Sequence, residues 1–356
     1  MRSGSGGVRP RVLVIGGYGA VGAAATSALA RWFPGRVVPA GRDEARARRL
    51  GGVRVDVAAP PEVFVRETLE PLGDIGAVVF CVEPPDAGIA RACLERGVHV
   101  VDVGASLRLL DAVAALDAPA REAGATGVLS VGVAPGLTNL LARRAHEAVG
   151  GAERLDLTLL FGSGERHGVD ALRWTLANLA EPEPPGARPL RVTLPGYGAA
   201  RTAHPFPFSD QFTLVRTLGV PSVTTRLCLD SRPLTAALFA LRRTGAVRAV
   251  ARRPGAPRAM AAALHRVRLG GGDGFAVRVD ARGHGPHARR VAYALTGREQ
   301  SRVTGLVAAH VARELLTGGP SAPGVHHIEQ LPAFAGIVEA VAADAGDLGV
   351  KLHELR

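Results

Sequence analysis

An apolar run passes without a break into a glycine cluster and then into an alanine-rich stretch: residues 12–32 read VLVIGGYGAVGAAATSALARW. Gly17, Gly19 and Gly22 stand at the spacing G-x-G-x-x-G, directly after a predicted strand and at the mouth of a predicted helix. In that setting the first glycine permits the tight turn, and the second lets the main chain approach a pyrophosphate with no Cβ in the way. The third lets helix and strand pack closely. The helix N-terminus adds free amides and the positive end of its dipole. Gly17, Tyr18, Gly19, Ala20, Val21 and Gly22 are therefore the expected pyrophosphate loop of a dinucleotide site.

The neighbouring sequence carries the same logic onward. RVLVIG, RVVPA, VRVDV, IGAVVFCV, GVHVVDVG and TGVLSVGV are each followed by helix-like residues, the rhythm of a parallel α/β sheet. Several of these runs are apolar nearly throughout, as strands covered by helices on both faces must be. This predicts a doubly wound, Rossmann-type domain over residues 1–150. From Gly151 the rhythm changes: ERLDLTLLFG reads as a longer strand, VDALRWTLANLA as a helix and EPEPPGARP as a loop. RVTLPGYG, SVTTRLCLD, GFAVRVDARG and ARRVAYALTG alternate enough to form a sheet with one covered face, predicting an α+β substrate and dimerisation domain over 151–297. The remaining residues, 298–356, with a helix from Gln300 to about Leu316, are expected to return to the first domain.

Composition narrows the function. The chain has 356 residues, 47% of them hydrophobic, enough for two domains with a sizeable core. Its formal charge of +11 comes almost wholly from scattered arginines, Lys351 being the sole lysine. With aromatic residues at 4% and no basic run interleaved with them, nucleic-acid binding is not expected. Cys81, Cys93 and Cys228 have neither metal-ligand spacing nor the even count of a disulfide framework, which fits a reducing cytoplasm. No apolar run reaches the length of a membrane span, and the opening segment lacks an apolar signal core. His326 and His327 are adjacent and do not share a helical face as an i, i+4 pair would, so no metal is expected.

Where a dinucleotide site often keeps a carboxylate for the ribose 2′-hydroxyl, the second strand ends in AGRDEARARR. Arg42 stands there, able to make a bidentate contact to a 2′-phosphate with Arg46 assisting, so NADP(H) is favoured over NAD(H). Asp43 is the rival reader of the ribose, or else the N-cap of the next helix. Asp56 and Val57 end the third strand where an adenine edge would lie, Asp56 alternatively as a cap. Cys81, Val82 and Glu83 precede Pro84 and Pro85 at the carboxyl end of the fourth strand and are expected to line the cofactor cleft. In VLSVGVAPGLTNLLARRA, the turn containing Pro135, Gly136 and Asn139 brings a helix N-terminus toward the nicotinamide end, as a substrate subsite or a structural turn.

Taken together, GGYGAVG, GVHVVDVGA, VGVAPGLTN and GVHHIEQL resemble the saccharopine dehydrogenase-like superfamily, specifically its saccharopine reductase type. The resemblance covers most of the chain. It implies an NAD(P)-binding first domain, and relatives that reduce imines, oxidise amino acids or act on activated double bonds. It also implies a homodimer through the second-domain sheet. The diamino acid enzymes carry an acidic residue before the proline of the proline-glycine turn. This chain has Ala134 there, implying a less charged or differently arranged substrate.

Hydride transfer needs the nicotinamide held against an electrophilic carbon and a source for the proton. The Tyr-x-x-x-Lys pair of short-chain reductases is absent, leaving histidine, acid or tyrosine. His167, among glycines in FGSGERHGVDALRW, and Asp210, in TAHPFPFSDQFTL, are the candidates to supply or relay it. Asp210 reads equally as a helix cap, and His204 in the same segment as part of the pocket wall. The expected function is an NADPH-dependent reductase of an imine on a small metabolite. Reduction of an activated C=C bond, amino acid dehydrogenation of the saccharopine type, and a non-enzymatic NADP(H)-binding regulator are the alternatives.

Overall fold

The computed structural model describes residues 10–165, 169–181, 188–253, 255, 259, 271–318 and 322–355. Its strands are β1 (Arg11–Ile15), β2 (Val37–Gly41), β3 (Val53–Arg54), β4 (Ile75–Phe80), β5 (His99–Asp102), β6 (Thr126–Leu129), β7 (Arg154–Phe161), β8 (Leu190–Val192), β9 (Arg201–Pro205), β10 (Ser222–Leu229), β11 (Gly274–Arg282), β12 (Arg290–Arg298), β13 (Gly324–His327) and β14 (Lys351–Leu355). The helices that shape the site are α1 (Ala20–Trp32), α2 (Glu44–Arg49), α3 (Thr138–Ala148), α4 (Asp210–Thr217), α5 (Arg232–Arg243) and α6 (Gln300–Leu316).

The first sheet runs β13-β6-β5-β4-β1-β2-β3, every neighbouring pair parallel. Its chain order reverses between β1 and β4, the point at which doubly wound sheets open a ligand crevice at their carboxyl ends. The continuous apolar strands explain the layering. Val12 and Val14 face the core that contains α1 and α6, while Leu13 and Ile15 face a second cluster with Phe64, Ile89 and Leu110. Burying both faces stabilises the strand by about 1.5–3 kcal/mol per large aliphatic side chain, which is why β1 has no polar alternation.

The second sheet runs β14-β12-β11-β7-β10-β9-β8 and is mixed: β7 and β10 are parallel and the other pairs antiparallel. Here the period-two pattern returns. Leu155, Leu157 and Leu159 turn inward, while Asp156 lies on the other face with Arg154 and Arg226. RVTLPGYG keeps only Arg191 and Val192 in a strand, because Gly196 and Gly198 sit at φ +79° and +65° and turn the chain. β9, β13 and β14 are strands that the sequence does not announce.

The chain then goes back across the first sheet. α6 spans Gln300–Leu316, the range read from the sequence, and crosses α1 at Gly305, where a Cβ would come 2.4 Å from the Val21 carbonyl oxygen. β13 joins the first sheet beside β6, as a returning tail requires, but the terminal β14 pairs with β12 in the second. Among the described residues no helix is long and apolar enough to cross a membrane.

Candidate functional site

The glycine loop forms the floor of the crevice. A Cβ on Gly17 would lie 2.7 Å from the Val14 carbonyl oxygen, and one on Gly22 2.1 Å from that of Gly16, so neither position has room for a side chain. Around Gly19 the nearest atom to an added Cβ is the Gly16 oxygen at 3.3 Å, and Gly19 and Ala20 are exposed, so this part of the loop is open on its outer side. Gly19 is also the N-cap of α1 and offers no side-chain acceptor, and α1 has no acidic residue in its first turn. The leading amides of a thirteen-residue helix are thus left for an anion. These residues fit a pyrophosphate.

At the end of β2, Arg42 is exposed, its guanidinium without a hydrogen-bond or ion-pair partner among the described residues. Beside it Arg46 lies over the Tyr18 ring, 4.7 Å from the centroid, and donates from Nη2 to the Tyr18 carbonyl at 2.9 Å. The Tyr18 hydroxyl accepts the Asp43 N–H at 2.8 Å. The arginine pair fits a 2′-phosphate: one guanidinium is free and the other held beside it on an aromatic plate. Asp43 has turned to its own helix, where it is the N-cap of α2 and accepts the Arg46 N–H at 2.9 Å. Asp56 likewise accepts the Ala58 N–H at 3.1 Å, leaving half-buried Val57 on the turn that follows.

At the carboxyl end of β4, the Cys81 N–H pairs with the Ile15 carbonyl, and Val82 packs over Gly16, whose added Cβ would meet it at 2.6 Å. Cys81, Val82 and Glu83 therefore adjoin the glycine loop, and Glu83 is exposed. Burial pushes the Cys81 thiol up to about 12, with the charge of Asp102 adding to the effect, so it is no thiolate. Asp102, which the sequence reading passed over, ends β5 one strand away. Its Oδ1 accepts the Gly104 N–H at 2.7 Å, and Asp102 is 3% exposed. Burial raises its pKa to about 6, the Gly104 amide opposing and Glu83 reinforcing the rise. The signal available in the sequence was an aspartate closing a strand in GVHVVDVGA, at the edge where such sheets bind ligands.

The proline-glycine turn follows β6. The Ala134–Pro135 peptide is cis, and the Asn139 Oδ1 accepts the Gly136 N–H at 2.9 Å. Pro135, Gly136 and Asn139 are buried, so they shape the loop from within, while Ala134 is half-buried. The Val133 N–H donates to Thr304 Oγ1 of α6 at 3.3 Å. One turn earlier on α6, the Ser301 N–H donates to Glu165 Oε1 at 2.7 Å, which brings the loop after β7 to the same helix end. Asp230 holds that loop, accepting the Ser163 N–H and Oγ–H at 2.9 and 2.7 Å and the Gly272 N–H at 2.7 Å.

Asp210 opens α4, fully buried, with Ser209 as N-cap. Burial raises its pKa to about 6, Thr138 of α3 drawing it down and the neighbouring Glu329 charge pushing it up. Neither carboxylate oxygen makes a well-formed hydrogen bond among the described residues, and the buried Ser209 Oγ, Thr213 Oγ1, Asn139 Nδ2 and Glu329 Oε2 share that condition. His204 is stacked on Phe239 of α5, ring centroids 4.3 Å apart, within the second-domain core, and the fold does not bring it to the glycine loop. His167 lies outside the described residues. His327 Nδ1 is 2.8 Å from Ser130 Oγ, and His326 Nε2 is 3.2 Å from the Ala322 carbonyl oxygen, so the two histidines face different partners.

Residues 12–128 match the family model for the saccharopine dehydrogenase NADP binding domain. No curated protein matches the chain in sequence. Among solved structures, apo histidine-tagged saccharopine dehydrogenase (L-Glu forming) from Saccharomyces cerevisiae is similar over 98% of this chain and 100% of its own, at 14% identity and a TM-score of 0.64. A meso-dapdh mutant with DAP from Clostridium tetani E88 is similar over 91% and 95%, at 11% identity and a TM-score of 0.47. Residues 12–128 thus form a Rossmann-type domain similar to the saccharopine dehydrogenase NADP binding domain, and the chain as a whole shares the fold of the yeast structure.

Proposed function

We propose that this chain is an NADPH-dependent reductase that delivers a hydride to the carbon of an imine on a small metabolite. The observation that carries this reading is a convergence along one edge of the first sheet. A loop bare of Cβ atoms, an unpaired guanidinium at Arg42 and a buried carboxyl at Asp102 all lie at the carboxyl ends of β1, β2, β4 and β5. Gly17, Gly19 and Gly22 with Tyr18, Ala20 and Val21 hold the pyrophosphate. Arg42, backed by Arg46, selects NADP(H) over NAD(H), with Asp43, Asp56 and Val57 shaping the adenosine end. Cys81, Val82 and Glu83 wall the other end.

Bound NADPH supplies the two electrons as hydride; the protein supplies position and a proton for the imine nitrogen. An imine nitrogen is basic enough to take that proton from a carboxylic acid poised near neutrality. Pro135, Gly136 and Asn139 support the substrate wall from behind. Asp210, beside Thr138, is the candidate relay, and His167 is the other candidate that the sequence offers.

Three free cysteines suit a cytoplasmic protein. A homodimer through the second-domain sheet is inferred from the resemblance to the saccharopine reductase type. The test is to incubate purified protein with NADPH or NADH and panels of cyclic imines, enones and amino acids, following cofactor absorbance. NADPH-preferring turnover on imines is expected; turnover on enones alone, or on none of them, overturns the reading.

A further inference from the structure

The geometry points to Asp102 as the acid that protonates the substrate nitrogen, an assignment that rests on the imine reading above. Asp102 is the last residue of β5, flanked on one side by the end of β4, where the Val103 N–H meets the Phe80 carbonyl, and on the other by the start of the proline-glycine turn, where the Val131 N–H meets the Asp102 carbonyl. The residue is thus placed between Cys81 to Glu83 and residues 130–137, the two segments that the sequence assigns to the cleft at the carboxyl edge of the sheet. Gly104 holds the carboxyl in place by its N–H, and a Cβ there would approach Asp102 Oδ1 to 2.9 Å, so a side chain at 104 would disturb the pair. That bond engages Oδ1 alone. The other oxygen has no partner among the described residues, as a proton donor awaiting a substrate requires.

The surrounding groups are poorer donors. Glu83 is exposed to solvent, Asp210 is enclosed behind α3, and the Cys81 thiol is pushed up to about 12. Burial acts first on Asp102, Glu83 is the charged group that adds to the effect, and Cys81 beside it stays a neutral thiol, so the carboxyl keeps its proton well above the usual carboxylate range. The step balances simply. The proton leaves the Asp102 carboxyl for the imine nitrogen, the carbon accepts the hydride pair, and the products are a secondary amine, oxidised cofactor and an Asp102 carboxylate that regains its proton from solvent.

Two substrate types separate this role from a structural one. A neutral cyclic imine needs both hydride and proton; its N-methylated iminium counterpart carries a permanent charge and needs hydride alone. For Asp102→Asn, turnover of the neutral imine is expected to fall about 100-fold or more at pH 8. Turnover of the N-methyl iminium, and NADPH affinity by fluorescence titration, should stay within about threefold of the parent. Equal losses on both substrates, or none on either, overturn the assignment. If the variant does not fold, the parent decides: kcat/KM for the neutral imine must fall as pH rises through a group near 6 that is missing from the iminium profile, and identical profiles overturn it. A parent inactive on both substrates with either cofactor refutes the imine reading itself, and the assignment with it.

Discussion

Asp210→Asn is expected to make the protein more stable at neutral pH, an unusual result for deleting a buried carboxylate. In the folded chain the Asp210 pKa lies at about 6 against an ordinary 3.8, raised first by burial and then by the Glu329 charge. Below about pH 4 both folded and unfolded chains hold the proton, and the group is neutral in the balance. As pH rises toward 6 the unfolded chain releases its proton first, so ionisation favours unfolding; above 6 the penalty is complete. A shift of about two units corresponds to about 3 kcal/mol at about 1.4 kcal/mol per unit. Since asparagine cannot ionise, the variant escapes this penalty, and Glu329, itself raised by burial, loses a like-charged neighbour. Urea unfolding of both proteins from pH 4 to pH 8 reads the effect directly. The variant's advantage should grow between pH 4 and 6 by on the order of 1–3 kcal/mol and then level off. A stability difference that is flat across that range would show that Asp210 ionises freely in the fold and that its surroundings have been misread.

Other changes probe the crevice and the thiols. Gly22→Ala places a Cβ 2.1 Å from the Gly16 oxygen, so the loop cannot close under α1, and fluorescence titration should show NADPH affinity falling by about 100-fold or more. Arg42→Ala removes the free guanidinium and should weaken NADPH by about 10- to 100-fold while leaving NADH unchanged; equal loss for both refutes the 2′-phosphate contact. With burial pushing Cys81, Cys93 and Cys228 each to about 12, a thiol reagent at pH 8 should label none of them in the folded protein and all three in urea.

The first sheet was legible because both faces of its strands are covered, so VLVI and AVVF announce themselves without their partners. Gly17 to Gly22 were legible for a related reason: their spacing encodes a local backbone shape that needs no tertiary context. Asp102 and Glu165 were not, since each matters through neighbours distant in sequence, Glu83 beside one and Ser301 beside the other. α4 misleads in the opposite sense. Asp210, Thr213 and Leu214 point inward, while Phe212 and Val215 are 41% and 40% exposed, so a hydrophobic pattern alone does not orient the helix. His204 had the composition of a pocket wall, but its partner Phe239 is supplied by a helix 35 residues on.

The way the polypeptide is threaded has a thermodynamic corollary. After the second sheet is nearly complete the chain goes back to lay α6 and β13 on the first, then crosses again to finish at β14, and one continuous core contains Val14, Leu157, Val277 and Val307 together. Neither sheet can melt while the other stays intact, because each owns side chains that the other needs. A single calorimetric transition follows, and passage into the crevice must come from its bordering loops, since prying the halves apart would tear the shared interior.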